Sequence, residues 1–206
     1  IFLAREHHND VIPEIPPLTH SYYLLTRHRE LAEIPAAEWP DTYCPSDPRS
    51  YDLYFDVLDE YLEVMQPRLV HIGHDEWRMP TGPDARCRGQ DVRDLLVRDI
   101  VKIHGFLTRK GVAVALWGDH FLENLRGVHL KRQTSRSGFV YDMPGALKPE
   151  QVERDLPKDL VVLNWSWNEK HAQTSVEGTP TAGEFNDRQL AKWGFRQVWG
   201  NLSRPC

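Results

Sequence analysis

Five short runs of aliphatic and β-branched residues, "DVIPEI" (10–15), "LVHIG" (69–73), "VAVALW" (112–117), "LVVLNW" (160–165) and "FRQVWG" (195–200), punctuate a chain of 206 residues. Each is apolar enough to be buried on both faces, which is the habit of strands in a parallel sheet covered by helices. The intervening segments carry helical periodicity. Asp47 before Pro48 has the form of an N-cap followed by a proline at the first helical position. It opens "RSYDLYFDVLDEYLEVMQ", where Tyr54, Leu58, Tyr61, Leu62 and Met65 share one face. The stretch "QDVRDLLVRDIVKIHGFLTRKG" repeats the pattern with Val92, Leu96, Ile100, Ile103 and Leu107, and Gly111 marks its stop. A third helix is expected over "EFNDRQLAKW", before Gly194, whereas 121–147, with its polar "KRQTSRSG", reads as an irregular insertion. This alternation predicts an α/β fold of the (β/α)8 TIM-barrel type. About five strands fall short of the eight that roughly 250 residues usually supply, so the expectation is an incomplete barrel.

Polar and aromatic residues collect where these runs end: Glu14 and His20, Asp75 and Glu76, Trp117 and Asp119, Trp165 and Trp167, Trp199 and Asn201. In a βα barrel the C-terminal ends of the strands build the active site. The densest cluster is "LVHIGHDEWRMP" (69–80), with two adjacent carboxylates behind a strand. Side chains alternate along a strand, so His71, Gly73 and Asp75 share one face and Glu76 lies just past it, free to approach from another angle. Two carboxylates in unequal environments are what acid/base chemistry requires. The strand-end tryptophans and Trp77 offer apolar walls for a sugar ring.

Plainer roles stand beside each of these. Asp75 and Glu76 would also suit a solvated turn, His71 and His20 a satisfied core, and the tryptophans simple burial. His74 points away from His71 in a regular strand, which predicts a structural role. Asp119 suits a loop cap as well as a sugar hydroxyl, and Tyr141 and Asp142 in "FVYDMPG" suit a turn as well as a site. Glu14, a carboxylate inside "VIPEIP", is expected to be a buried network residue, because such a group needs partners.

"HIGHDEW" resembles the His-x-Gly-Gly-Asp-Glu motif of glycoside hydrolase family twenty, the β-N-acetylhexosaminidases. "VIPEIPPLTHS", about sixty residues earlier, is similar to that family's Pro-Glu-Ile-Asp-x-Pro-Gly-His segment. A looser likeness extends through "KGVAVALWGDHF" and "LPKDLVVLNWSW". The resemblance implies that residues 1–206 form about strands three to seven of a TIM-barrel catalytic domain, with the first strands and the last strand outside this chain. It also implies retaining, substrate-assisted hydrolysis of a terminal β-linked N-acetylhexosamine through an oxazolinium intermediate. Asp75 would orient the acetamide and stabilise its developing charge. Glu76 would protonate the leaving oxygen and then deprotonate water, its pKa raised by the neighbouring charge and by a wall such as Trp77. His20, His71, Trp117, Asp119, Trp165, Trp167 and Trp199 would line the substrate site, with no metal and no cofactor. The chain departs from the motifs at His74, where the family has glycine, and at Pro16 and Thr19, where it has Asp and Gly.

Other classes fit less well. A formal charge of −5 without a Lys/Arg-rich run argues against a nucleic-acid surface, and no apolar run reaches membrane-spanning length. A metal-dependent hydrolase is a rival because of the ten histidines, but His71 and His74 diverge, and no HExxH helix or cysteine pair in sequence compensates. The partner expected is an amino-sugar carbohydrate. Alternatives are a TIM-barrel glycosidase for sugars without an acetamide, and a non-catalytic carbohydrate-binding homologue. No signal segment is visible after Ile1, which leans toward the cytoplasm. Cys44, Cys87 and Cys206 match neither a disulfide framework nor a CxxC site.

Overall fold

The protein is described by a computed structural model that covers residues 2–134, 138, 140–164 and 182–199. After two short helices, α1 (Phe2–Glu6) and α2 (Tyr22–Leu25), the first long element is α3 (Pro48–Met65). Its start is chemically specified: Pro48 sits in the first turn and the Asp47 carboxylate accepts the Arg49 N–H at 2.9 Å. The face that α3 buries is Ser50, Tyr51, Tyr54 and Leu58. Tyr61, expected on that face, is exposed, because the buried stripe runs out before the last turns of the helix. Strands β1 (Leu69–His71) and β2 (Met79–Thr81) follow, and then α4 (Val92–Arg109). Asp91 caps α4 by accepting the N–H groups of Arg93 and Asp94. Leu95, Leu96, Ile100, Ile103 and Leu107 on α4 are fully buried, and Phe106 stacks on Phe55 of α3 at 3.9 Å.

The remaining elements are β3 (Ala113–Trp117), α5 (Glu123–Arg126), β4 (Lys131–Thr134), β5 (Val140–Met143), β6 (Val161–Asn164), α6 (Ala182–Lys192) and β7 (Arg196–Trp199). Strands β1, β3, β6 and β7 form one parallel sheet in chain order. The segment expected as a first strand, 10–15, makes only a parallel bridge between Glu14 and His71, through Ile15 N–H to His71 carbonyl and His71 N–H to Pro13 carbonyl, both 2.9 Å. Prolines 13, 16 and 17 lack the N–H that a longer ladder needs. The architecture is thus an α/β sheet of parallel strands in sequential order with helices α3 and α4 packed into the core.

One expectation is corrected outright. The stretch 121–147 is no irregular insertion: β4 and β5 form an antiparallel hairpin that β2 joins, in the order β2-β5-β4. Arg132 and Asp142, paired across the hairpin, make two bonds of 2.7 and 2.9 Å. Every residue of β4 is exposed, so the strand has no apolar alternation to betray it. Asp142 and Tyr141 accordingly belong to this hairpin. Among the described residues, no helix is long and apolar enough to cross a membrane.

Where β1 ends, the chain passes so close to the 13–17 segment that a Cβ on Gly73 would lie 2.6 Å from Pro16 Cβ, and the Gly73 φ is +67°. Gly73→Ala combines a clash with left-handed strain, whereas Gly89→Ala, at φ +81° with nothing within 4 Å, meets strain alone. Urea denaturation is expected to show a loss of about 1–2 kcal/mol for Gly89→Ala and clearly more for Gly73→Ala. Equal losses would show that the approach to Pro16 relaxes freely.

Candidate active site

Past β1 the backbone turns sharply: Gly73, His74 and Glu76 all have positive φ, at +67°, +67° and +49°. Non-glycine residues pay for that conformation, so something must hold it. Two buried anchors do so. The first is Asp119, at the end of β3, whose Oδ2 accepts the Glu76 N–H at 3.1 Å and the Arg126 Nε–H at 2.6 Å, with Arg126 Nη2 on the same oxygen. Next to it His120 Nε2 accepts the Trp77 N–H at 2.9 Å, so the imidazole is neutral with its proton on Nδ1. Burial pushes the His120 pKa down to about 4, in keeping with that role.

The second anchor is reached through His74. Its Nδ1–H donates to the Ile72 carbonyl at 2.8 Å and its Nε2 meets Asp99 Oδ2 at 2.7 Å. Asp99 lies on α4, fully buried, and its other oxygen accepts the Tyr43 and Tyr51 hydroxyls at 2.6 and 2.7 Å. The residue that replaces the motif glycine is therefore the structural histidine that strand alternation predicts. It ties the turn to the centre of a helix.

These anchors present Asp75 and Glu76 to different surroundings. Asp75 is largely covered, and His20 Nε2 stands 3.6 Å from its Oδ2. Burial pushes the Asp75 carboxyl up, but His20, by hydrogen bonding and charge, outweighs this and holds it below the usual carboxylate range. Reciprocally, Asp75 raises the His20 pKa against a smaller effect of burial. The Glu76 carboxylate is 41% exposed, with Arg78 Nη2 at 3.9 Å. Beside the pair runs a second group: Trp117 Nε1–H donates to Glu14 Oε1 at 2.9 Å, His71 Nδ1 lies 3.3 Å from the same oxygen, and the His71 and Trp117 rings meet edge to face at 4.8 Å. His71, with Trp117 next to it, lowers the Glu14 pKa against burial.

The structure thus brings together six of the nine residues expected in the site, Asp75, Glu76, His20, His71, Trp117 and Asp119, with Glu14 beside them. His20 is half-exposed beside Asp75, and Trp117 is half-buried at the strand end. His71 and Asp119 are buried, the first against Glu14 and Trp117, the second committed to the Glu76 backbone and Arg126. Asp119 thereby serves as a positioning group. Trp77 is corrected: its ring is wholly enclosed in the core and cannot wall a ligand. Glu14, expected to be buried, is about half-exposed. Trp165 and Trp167 lie outside the described residues, as does the side chain of Trp199. Sequence reasoning missed Asp99, Tyr43, Tyr51, His120 and Arg126. Only His120 carried a local signal, its place next to Asp119 at a strand end. Hollows of about 480, 500 and 150 Å³ among the described residues are not lined by Asp75 or Glu76.

No family model matches the chain. Among curated proteins it is 25% identical over 179 residues to the lacto-N-biosidase of Bifidobacterium bifidum, covering 79% of this chain and 16% of that protein. Among solved structures, the β-N-acetylhexosaminidase from Bacteroides fragilis superposes with a TM-score of 0.61 at 19% identity, covering 95% of this chain and 33% of that one. The family-twenty exo-β-N-acetylglucosaminidase from Vibrio harveyi, in complex with N-acetylglucosamine, gives 0.61 at 18% identity, covering 97% and 27%. This chain spans a third or less of the length of these relatives. The fold it shares is that of part of the family-twenty β-N-acetylhexosaminidases, the family its two motifs resemble.

Asp99→Ala would leave His74, Tyr43 and Tyr51 buried without their common acceptor, and is expected to cost about 3–5 kcal/mol in denaturant unfolding. A loss near zero would show that the turn does not depend on this anchor. The two histidines are also expected to separate in an NMR titration. His20 should titrate above 6.5 and fall back toward it in Asp75→Asn, while His120 stays neutral down to about 4. The signs follow: the His20–Asp75 pair stabilises below the folded His20 pKa and above the folded Asp75 pKa, whereas His120 makes the fold weaken as pH drops from 6.5 toward 4. Both rings titrating together near 6.5 would refute the assignment.

Proposed function

We propose that this chain is part of a retaining glycoside hydrolase that removes a terminal β-linked N-acetylhexosamine by substrate-assisted catalysis. The observation that carries the reading is the asymmetry of the carboxylate pair. Asp75 is covered and kept ionised by His20, which suits a group that orients an acetamide and balances the positive charge growing on it. Glu76 follows on a left-handed residue with an accessible carboxyl, which suits a group that hands a proton to a leaving oxygen and takes one from water. In that reaction the acetamide oxygen attacks the anomeric carbon as the glycosidic bond breaks, and Glu76 protonates the departing oxygen. Water then opens the oxazolinium ring at the same carbon, giving its proton to Glu76, so configuration is retained. The shared fold and the amino-sugar activities named for the matched solved structures support the class of substrate.

We read the parallel sheet, with the Glu14 bridge and β1, β3, β6 and β7 in chain order, as an arc of a (β/α)8 barrel. The other walls of the sugar pocket, including the strand-end tryptophans, complete the site in this reading. A second reading, hydrolysis of a sugar without an acetamide, is favoured by one observation. Pro16 stands where the family has an aspartate, and its ring is packed against Gly73. A proline ring offers no polar side-chain group at that position.

The full reading frame, assayed on two aryl β-glycosides that differ only in an acetamide or a hydroxyl at carbon two, separates the readings. Cleavage of the acetamido substrate alone is expected, with Glu76→Gln slowing it by about 10²- to 10⁴-fold. Equal cleavage of both, or unimpaired activity in Glu76→Gln, would reject the assignment.

A further inference from the structure

Three residues far apart in sequence meet beside the short antiparallel bridge between Ala32 and Tyr43. Glu33 and Cys44 flank that bridge, and Cys87 arrives on the connection between β2 and α4, where the Arg86 N–H donates to the Glu33 carbonyl at 3.3 Å. One atom from each of Glu33, Cys44 and Cys87 lies within 4.8 Å of the others. All three side chains are buried, Glu33 and Cys87 completely. The Glu33 carboxyl has one oxygen, Oε1, that accepts the Cys87 N–H at 2.7 Å, while Oε2 is buried without a hydrogen-bond partner. A carboxyl fully withdrawn from water with one oxygen unsatisfied is costly, and thiols are weak donors.

We propose that Glu33, Cys44 and Cys87 form a structural site for a thiophilic divalent cation, zinc above all. Two thiolates and a carboxylate are a zinc donor set, and bonds of about 2.3 Å to sulfur and 2.0–2.2 Å to oxygen place tetrahedral ligands under about 4 Å apart. The cluster needs to contract by roughly an ångström or less to reach it. Ser46 supplies a backbone N–H toward Cys44, while its hydroxyl donates to Gln90 Oε1 at 2.8 Å. Ser46 is itself exposed, so a water reaching past it can take the fourth position. The alternative, a Cys44–Cys87 disulfide, would leave Glu33 Oε2 as unsatisfied as before. The ion would pin the 31–44 segment to the connection that follows the Asp75–Glu76 turn, and it would take no part in the chemistry there.

The test is elemental analysis of the full-length protein purified without chelator, followed by removal of the metal and titration with Co²⁺ alone. Expected are about one zinc per chain, a cobalt form with sulfur-to-metal charge-transfer absorption, and loss of both in Glu33→Gln and Cys87→Ser but not in Cys206→Ser. The wild-type protein is also weighed intact after denaturation, so the answer does not depend on the variants folding. A metal-free protein, whether its mass shows two free thiols or the two-hydrogen deficit of a disulfide, would overturn the inference. Metal content and glycosidase activity are read separately: an active, metal-free enzyme rejects this site alone, and a zinc-loaded protein inactive on both glycosides rejects only the function.

Discussion

The contact of Pro16 with Gly73 governs the candidate site. A side chain cannot fit between them, so the second residue past β1 must be glycine, and the chain leaves it in the left-handed region. That departure aims Asp75 toward His20 and brings the Glu76 N–H to Asp119. A strand that ran straight on would place successive side chains on opposite faces and could not present neighbouring carboxylates to one ligand.

Holding such a turn costs free energy, and the structure places the compensation underneath it. Asp119 and His120 accept the two backbone N–H groups that follow Asp75, and the His74–Asp99 bond ties the preceding residue to α4. Each acceptor is buried, where a hydrogen bond is strong and an unmade one expensive. The carboxylates above are left to the solvent side, their environments set by His20 and Arg78. Rigidity below and accessibility above are two halves of the same arrangement.

The periodic elements were legible because their patterns are local. Asp47 and Asp91 cap their helices through their own neighbours two or three residues on. Four of the five apolar runs are strands of one parallel sheet. The hairpin of β4 and β5 was not legible, since an all-polar, exposed strand is specified by its partner across the sheet, Asp142 opposite Arg132, and not by alternation. Tyr61 and Trp77 went astray for a related reason. Periodicity says which residues share a face, but the depth of burial along that face depends on what packs against it.

By itself the sequence determined the class of sheet, the ends of its strands, the carboxylate pair and the likeness to family twenty, all carried by contiguous motifs. Tertiary structure alone decided that His74 reaches Asp99, that Asp119 holds a backbone N–H, and that Glu33, Cys44 and Cys87 converge. The division has one physical cause. Propensity, capping and alternation act over a few residues, whereas a buried polar group takes its partner from whichever segment folding brings within about 3 Å, and no spacing in the chain encodes that choice.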